Sequence, residues 1–478
     1  MQNRLIKHLS FITFSTLLAL FTNCQKESIY SGNEPVLRFS SDTVAFDTVF
    51  TSIGSATLKM KVFNTINEDV IINNISLAGG GKSPYRLNID GLASNFASNV
   101  KIKAKDSLMI FVELTVDPRG VNNPFLVTDS IRFNVNAGVS QVMLTAYGQD
   151  VIKLKNSHLS TSTLSSEKPY LIYDTLFIDE GATVDIEAGT HFYMHSNSRI
   201  MINGTLKANG SMNQPIVFEG DRFTNWYVNY PGTWGEIKLT SKSKACEFNY
   251  VTIKNGTNGF LCDSIGLDGN KVEFSNLIIE NISQIGFSAI NSNILINNSL
   301  IGYCQDRSIA FNYGGNYQVT HCTISNFIHN KDYPTSGSKT VLLNNYYTNN
   351  EGTILTNPLT LATFENSIIW GNKNSIKLDY KTTTGEIDNG LNFTFQNCLI
   401  HEDKIISTSD TTHFKNVVVT KDPKFMDRIN YNYHLDTLSE AINAGNLKLS
   451  LPFKLDYDLQ DRTLDGKPDL GMYETVLK

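Results

Sequence analysis

Polysaccharide chemistry calls for carboxyl groups held apart at a set distance, or for a base beside a cation that neutralises an acidic sugar. The residues of this chain whose types allow such work are Asp306, Arg307, His329 and the run His401, Glu402, Asp403. Asp306 and His329 lie about one repeat apart, so the fold could bring them together. Ordinary surface ion pairing explains all six more economically. The densest acidic run is Asp456, Asp458, Asp461, Asp465 and Asp469. Oxygen ligands in a Gly-containing loop can hold calcium, although the closing Glu of a helix–loop–helix calcium site is missing here and turn or capping roles suit these residues better. His191 and His195 share one strand face without a third ligand, which leaves no metal site. Trp226, Tyr227, Tyr230 and Trp234 offer rings on which a sugar could stack, or a cluster that packs on the fold. No convergent acidic or basic cluster emerges, and the chain leans towards a non-catalytic role.

The elements that would position these residues come from a short repeat. It reads Phe248-Asn-Tyr-Val-Thr-Ile253, Phe274-Ser-Asn-Leu-Ile-Ile279, Ile296-Asn-Asn-Ser-Leu-Ile301, Val319-Thr-His-Cys-Thr-Ile324, Phe364-Glu-Asn-Ser-Ile-Ile369, Phe395-Gln-Asn-Cys-Leu-Ile400 and Phe414-Lys-Asn-Val-Val-Val419. The third positions are spaced 26, 22, 23, 45, 31 and 19 residues apart. A period near 23 suits one coil of a solenoid. The 45-residue step is either two coils, with Leu343-Asn344-Asn345 as the hidden one, or one coil with a long insertion. First and second positions alternate apolar and polar, as in a strand with one buried face. The first and sixth positions are both apolar but differ by an odd number, so a bend must fall between them. Asn at the third position supplies it, because Asn tolerates the left-handed backbone, and stacked Asn side chains can also bond to one another in a ladder. The fifth position is apolar although this geometry points it outward. A covering segment is therefore expected, either the excursion Ser325 to Leu361 or a partner.

The repeat resembles the right-handed parallel β-helix, the pectate-lyase-like solenoid. That resemblance implies an all-β fold over residues 177–425 and says little about function. The stretch Asp185-Ile-Glu-Ala-Gly-Thr190, then Ile202 to Gly210, Pro215-Ile-Val-Phe218 and Trp234-Gly235, is similar to the opening coils of bacterial β-helix proteins. Upstream, residues 35–150 hold alternating strands broken by Gly79-Gly-Gly81, Pro118-Arg-Gly120 and Asn122-Asn-Pro124, which fits an immunoglobulin-like β-sandwich. Phe111 to Pro118 and Val142 to Gly148 resemble strands of the ASPM/SPD-2/Hydin type, a spacer or binding module. A Ser/Thr-rich connector, 151–176, is expected between the two. Residues 426–478, with Tyr433-His-Leu-Asp-Thr-Leu-Ser-Glu-Ala-Ile-Asn-Ala-Gly445 and Asp465 to Glu474, look like a choice-of-anchor Q segment, which implies a cap over the last apolar rung.

Address and partners complete the reading. Residues 1–23 have a charged start, Arg4 and Lys7, and an apolar run from Leu9 to Phe21, the pattern of a signal peptide. Cys24 then resembles the lipidated Cys of bacterial lipoproteins, and Gln25-Lys-Glu27 is similar to the surface-export tag of Bacteroidetes. The implied partner is the membrane, through an N-terminal lipid anchor, with 24–34 as linker and a surface-exposed outer-membrane address. At 478 residues and net charge −6, with no basic patch carrying interleaved aromatics, nucleic acid is excluded as a partner. The five remaining Cys are an odd number without metal-like spacing, so neither a disulfide framework nor a zinc site is expected. The functional expectation is a cell-envelope lipoprotein that binds glycan or protein at the cell surface without turnover. The alternatives are a lyase or glycosidase acting on acidic polysaccharide, and a structural, adhesin-like envelope component. No cofactor is expected, calcium apart.

Overall fold

The computed structural model describes residues 28–120, 123–136, 138–223, 227–269, 271–326, 340–371, 375–381, 390–402 and 410–475. They fall into two compact units that divide at Asp150.

The first unit is a pair of five-stranded sheets. Alternation drives it: in Leu58–Asn64, Met60 and Val62 are buried while Lys59 and Lys61 face water. Those side chains share one core with Ile72, Ile75, Ile131, Phe133, Val142 and Leu144 of the opposite sheet. Tyr85 is fully buried in that core, and its hydroxyl donates to Val127 O at 2.9 Å, so no polar group is stranded.

The second unit is a parallel β-helix. Its coils lay down three strands each, and the ladders run the length of the unit. The strands just after each corner and those that follow them form two ladders of one 18-stranded sheet, called here the first and second faces; the strands just before each corner form a ten-stranded sheet, the third face. One coil shows the plan: Glu247–Asn249 on the third face, a corner at Tyr250, Val251–Lys254 on the first, Phe260–Asp263 on the second, then Val272–Ser275 back on the third. The corner residues Tyr250, Asn276, Asn298, His321, Asn366, Asn397 and Asn416 all hold left-handed backbone, with φ between 46° and 53°. That bend is what lets the first and sixth repeat positions both enter the core. Inside, like residues stack rung upon rung: the Phe248 and Phe274 rings lie 4.8 Å apart and 1° from parallel, and Phe364 and Phe395 follow suit at 4.7 Å. All five described cysteines are free and buried. Burial pushes the Cys246 thiol up to about 11 and those of Cys304, Cys322 and Cys398 to about 12, so they are inert core residues.

One open alternative is decided and two expectations need correction. The 45-residue step is a single coil, since Gly315–Thr320 pairs directly with Leu359–Glu365. Leu343 and Asn344 belong to a second-face strand, Val341–Asn344, followed by an inserted hairpin of Tyr346–Thr348 and Ile354–Thr356. Residues 151–176 are not a connector: Ile152–Leu159 pairs in parallel with Tyr170–Ile178 and starts the solenoid. It is the first strand of its sheet and pairs on one side only, and such a terminal rung tolerates the Ser, Thr and Lys that made this stretch read as a linker.

The second correction concerns the C-terminal segment, residues 426–478, expected as a cap over the last rung. It runs back along the corner between the third and first faces. Ala444 O accepts from Asn397, Asn446 O from Asn366, Leu455 O from Asn298, and Tyr457 O from the Tyr250 hydroxyl. Ser450 Oγ meets His321 Nε2 at 2.8 Å. The corner amides of Asn298, Asn366 and Asn397 therefore bond to this strap, while Asn276 donates to Asn249 and Asn366 also meets His321 Nε2 at 3.2 Å, so among the described residues the inter-coil bonds between corners do not run on as a continuous ladder of stacked Asn. The strap also answers the puzzle of the outward apolar column. Ile368 and Leu399 pack with Leu435, Ala441 and Leu470, and Leu300 with Tyr433 and Met472.

Candidate functional site

The residues singled out above do not converge. Arg307 pairs with its neighbour Asp306 at 2.7 Å. His401 lies three coils further on, about 14 Å away at ordinary strand spacing, with its ring stacked on Trp370 and Nδ1 at 2.6 Å from Gly371 O. Glu402 is buried and accepts the Ile376 N–H at 2.8 Å, which fixes a turn of the coil. His329 and Asp403 lie outside the described residues, as do Trp226 and Cys24. Trp234 is 1% exposed and belongs to the core, its Nε1 donating to Lys254 O at 2.7 Å, so it is no sugar platform. Tyr227 and Tyr230 are half-buried at the surface, their rings tilted 60° to one another. His191 faces Glu219 at 2.8 Å and His195 faces Asp221 at 2.6 Å, two separate pairs.

The acidic run at the C-terminus does not fit a calcium ion. Asp456 accepts backbone N–H groups from Gln460 and Glu474, and Asp469 from Asn443 and Thr475. Asp458 pairs with His434, Asp461 binds Thr463, and Asp465 accepts the Lys467 N–H. The positive charge that a cation would bring is already there: Arg462 is fully buried and lies 3.3 Å from Glu474. Burial raises the Asp456 and Asp469 pKa values, and burial with Asp469 beside it pushes Glu474 up to about 8. Among the described residues, no three His, Cys, Asp or Glu gather as a metal-binding group would.

What the structure does assemble is a cleft of about 440 Å³ where the outer side of the third face meets the strap. Glu247 and Glu273 sit side by side on adjacent rungs, as register partners. Asn209 donates to Glu247 at 3.0 Å, and Asn297 and Ser275 donate to Glu273 at 3.0 and 2.8 Å. Asn276 donates to Asn249 at 2.7 Å, which aims one half of its amide along the wall. The other half, Oδ1, is buried with no hydrogen-bond partner. Phe453 and Lys454 of the strap close the far side. Strand alternation puts Glu247, Glu273, Asn249 and Ser275 outside because Phe248 and Phe274 between them go in.

The sequence held a signal for this site that the reading passed over. The position before the first repeat column must share the outer face with the second column, and it carries Glu247 and Glu273. Only the outward apolar column hinted at a covering segment, and nothing in it pointed to the strap residues of the cleft, Pro452 to Leu455, which lie far downstream in the chain.

No protein-family profile matches the chain, and no curated protein matches it. Among solved structures, the catalytic unit of an alpha-1,3-glucanase from Streptomyces thermodiastaticus aligns over 76% of this chain and 85% of its own, at 9% identity and a TM-score of 0.22. A family 123 glycoside hydrolase from Clostridium perfringens aligns over 25% of this chain, at 9% identity and a TM-score of 0.18. A protein of unknown function from Porphyromonas gingivalis aligns over 27%, at 11% identity and a TM-score of 0.18. The chain spans 30% of the length of the second of these and 61% of the third. Superpositions this slight carry no weight on activity.

Proposed function

We propose that this protein is a cell-envelope lipoprotein whose β-helix binds a glycan, without turnover, in the cleft between the third face and the strap. The observation that carries the reading is the cleft wall of amides, a hydroxyl and carboxylates that Asn209, Asn249, Ser275, Asn297, Glu247 and Glu273 present side by side. Sugar hydroxyls both donate and accept, which a wall of this composition suits. A protein partner would call for large apolar anchors at the centre of the site, whereas the apolar side chains Pro452, Phe453 and Leu455 all come from the strap and the solenoid wall facing them is polar.

Binding rather than hydrolysis follows from the two carboxylates. A glycosidase needs one carboxyl kept as an acid by its surroundings while the other stays charged. Glu247, beside Lys207 at 3.6 Å, and Glu273, bonded by Asn297 and Ser275, are both exposed, and neither sits in the enclosed setting that keeps a carboxyl as an acid.

A panel of neutral and acidic polysaccharides, with product release and bound protein followed together, tests this. The expected outcome is binding without products, weakened roughly tenfold by Asn249→Ala or Glu273→Gln, the loss of one or two hydrogen bonds to a charged or polar wall. Reducing ends or unsaturated products that vanish in Glu273→Gln would make the protein an enzyme instead. Binding unaffected by either substitution would move the site elsewhere.

A further inference from the structure

The cleft has one wall from the solenoid and one from the strap, and the solenoid corner Asn298 lines it together with Pro452 to Leu455. These walls are far apart in the chain, so their spacing needs a fastening. A closed ring of hydrogen bonds provides it. The Arg462 N–H donates to Lys454 O at 2.8 Å. Arg462 Nη2 donates to Asn298 Oδ1 at 3.3 Å, and Asn298 Nδ2 donates to Leu455 O at 2.8 Å. Lys454 and Leu455 are neighbours in the chain, so the ring closes through the strap wall itself. The same Nη2 reaches Met472 O at 2.8 Å, which ties in the arm of the strap that returns over the first face. The corners Asn366 and Asn397 also grip the strap, at Asn446 and Ala444, but through their amides and without a cation among the described residues.

Stability is a poor reason for this arginine. Arg462 is fully buried, and a buried ion pair often stabilises a fold no more than apolar side chains of the same volume. What the guanidinium adds is geometry, a planar fork of fixed N–H directions. Its charge is met by Glu474 at 3.3 Å, with Asp456 and Asp469 also close. We propose that Arg462 and Asn298 are positioning residues for the cleft: they set the gap between the solenoid wall and Pro452 to Leu455 before any ligand arrives. A wall fixed in advance does not have to be ordered on binding, and that is where preorganised sites gain affinity. The proposal rests on the glycan reading only for the identity of what binds.

The test uses the full chain in two arms. In the first, spin labels at Glu273→Cys and Lys454→Cys face each other across the cleft, in a Cys24→Ser background whose five other cysteines are buried, and electron–electron resonance reads the spread of distances between them. Two variants break the ring. Asn298→Gly removes both amide bonds and keeps the left-handed corner. Arg462→Met/Glu474→Gln removes the fork together with its counter-charge, so no pair is left half-made and the melting temperature should hold. Each should turn a narrow distance distribution into a broad one, and Arg462→Lys, which keeps the charge without the fork, should do the same. In the second arm dextran, xylan, mannan and polygalacturonate are bound to the unlabelled proteins. Any that binds the wild type should bind the ring variants roughly tenfold more weakly at temperatures where all are folded. Distances that stay narrow, or binding that falls only where the melting temperature has fallen too, would overturn the positioning role. Binding weakened by Glu273→Gln yet untouched by the ring variants would overturn it as well while the glycan reading stood. Broadened distances with no polymer bound by the wild type would support the fastening and remove the glycan reading.

Discussion

Glu474 shows how one residue can set the pH response of the solenoid. Burial, with Asp469 second, pushes its pKa up to about 8, whereas the ordinary value is 4.5. The folded state thus prefers the neutral carboxyl, and the unfolded chain ionises it readily. Its contribution to stability is complete below about 4.5 and is lost as the pH rises through about 8. Asp456 and Asp469 are shifted in the same direction by burial, so they do not oppose it. We expect the melting temperature of the second unit to fall by a few degrees between mildly acidic and mildly alkaline buffer, and Glu474→Gln to flatten that fall and raise stability at the alkaline end. A melting temperature that climbs over the same interval would mean that Arg462 holds Glu474 ionised. At this scale the sequence was partly legible. The acidic run was visible and its structural role was the favoured one, but the buried Arg462 that organises it could not be picked out from a surface arginine.

The strap is the element that most changes how the fold is understood. Coil geometry was readable in advance because each Asn corner repeats the same local physics: a left-handed residue that only a few side chains accept. The strap has no repeat. Its register comes from bonds to corners up to 207 positions away, such as the Tyr250 hydroxyl on Tyr457 O, and only the unexplained apolar column hinted that something must lie there. The cleft was hidden for the same reason, since one wall is solenoid and the other strap. Gly471 is where the strap returns over the first face. Its φ is 92°, and a Cβ there would meet Thr323 Oγ1 at 2.8 Å and Ile368 Cδ1 at 3.0 Å. Gly471→Ala should therefore lift the returning arm, costing about 1–3 kcal/mol for the strained backbone alone. The amide of Met472, which donates to Thr323 Oγ1 at 3.1 Å, should exchange with solvent much faster in the variant, while amides of the Phe248–Phe274 stack stay protected. Unchanged exchange at Met472 would show that the arm yields without leaving the face.

For the molecule as a whole, the proposed address makes its own demand. A chain of net charge −6 gains nothing from the negative surface potential of anionic lipid, so a hold on the membrane has to come from apolar insertion. In the lipoprotein reading that insertion is the acyl modification of Cys24, each buried methylene contributing about 0.8 kcal/mol. Cys24→Ser removes the acceptor of the lipid and leaves every described residue unchanged. The variant should fold, appear in the soluble fraction, and fail to incorporate labelled fatty acid, while the wild type stays with membranes and carries the label. Both halves of that result matter. A soluble variant that still carried label would place the lipid on another residue, and a membrane-bound variant without label would mean that the body itself binds the envelope. In the latter case the glycan cleft would be the first surface to examine, by asking whether Glu273→Gln then frees the protein.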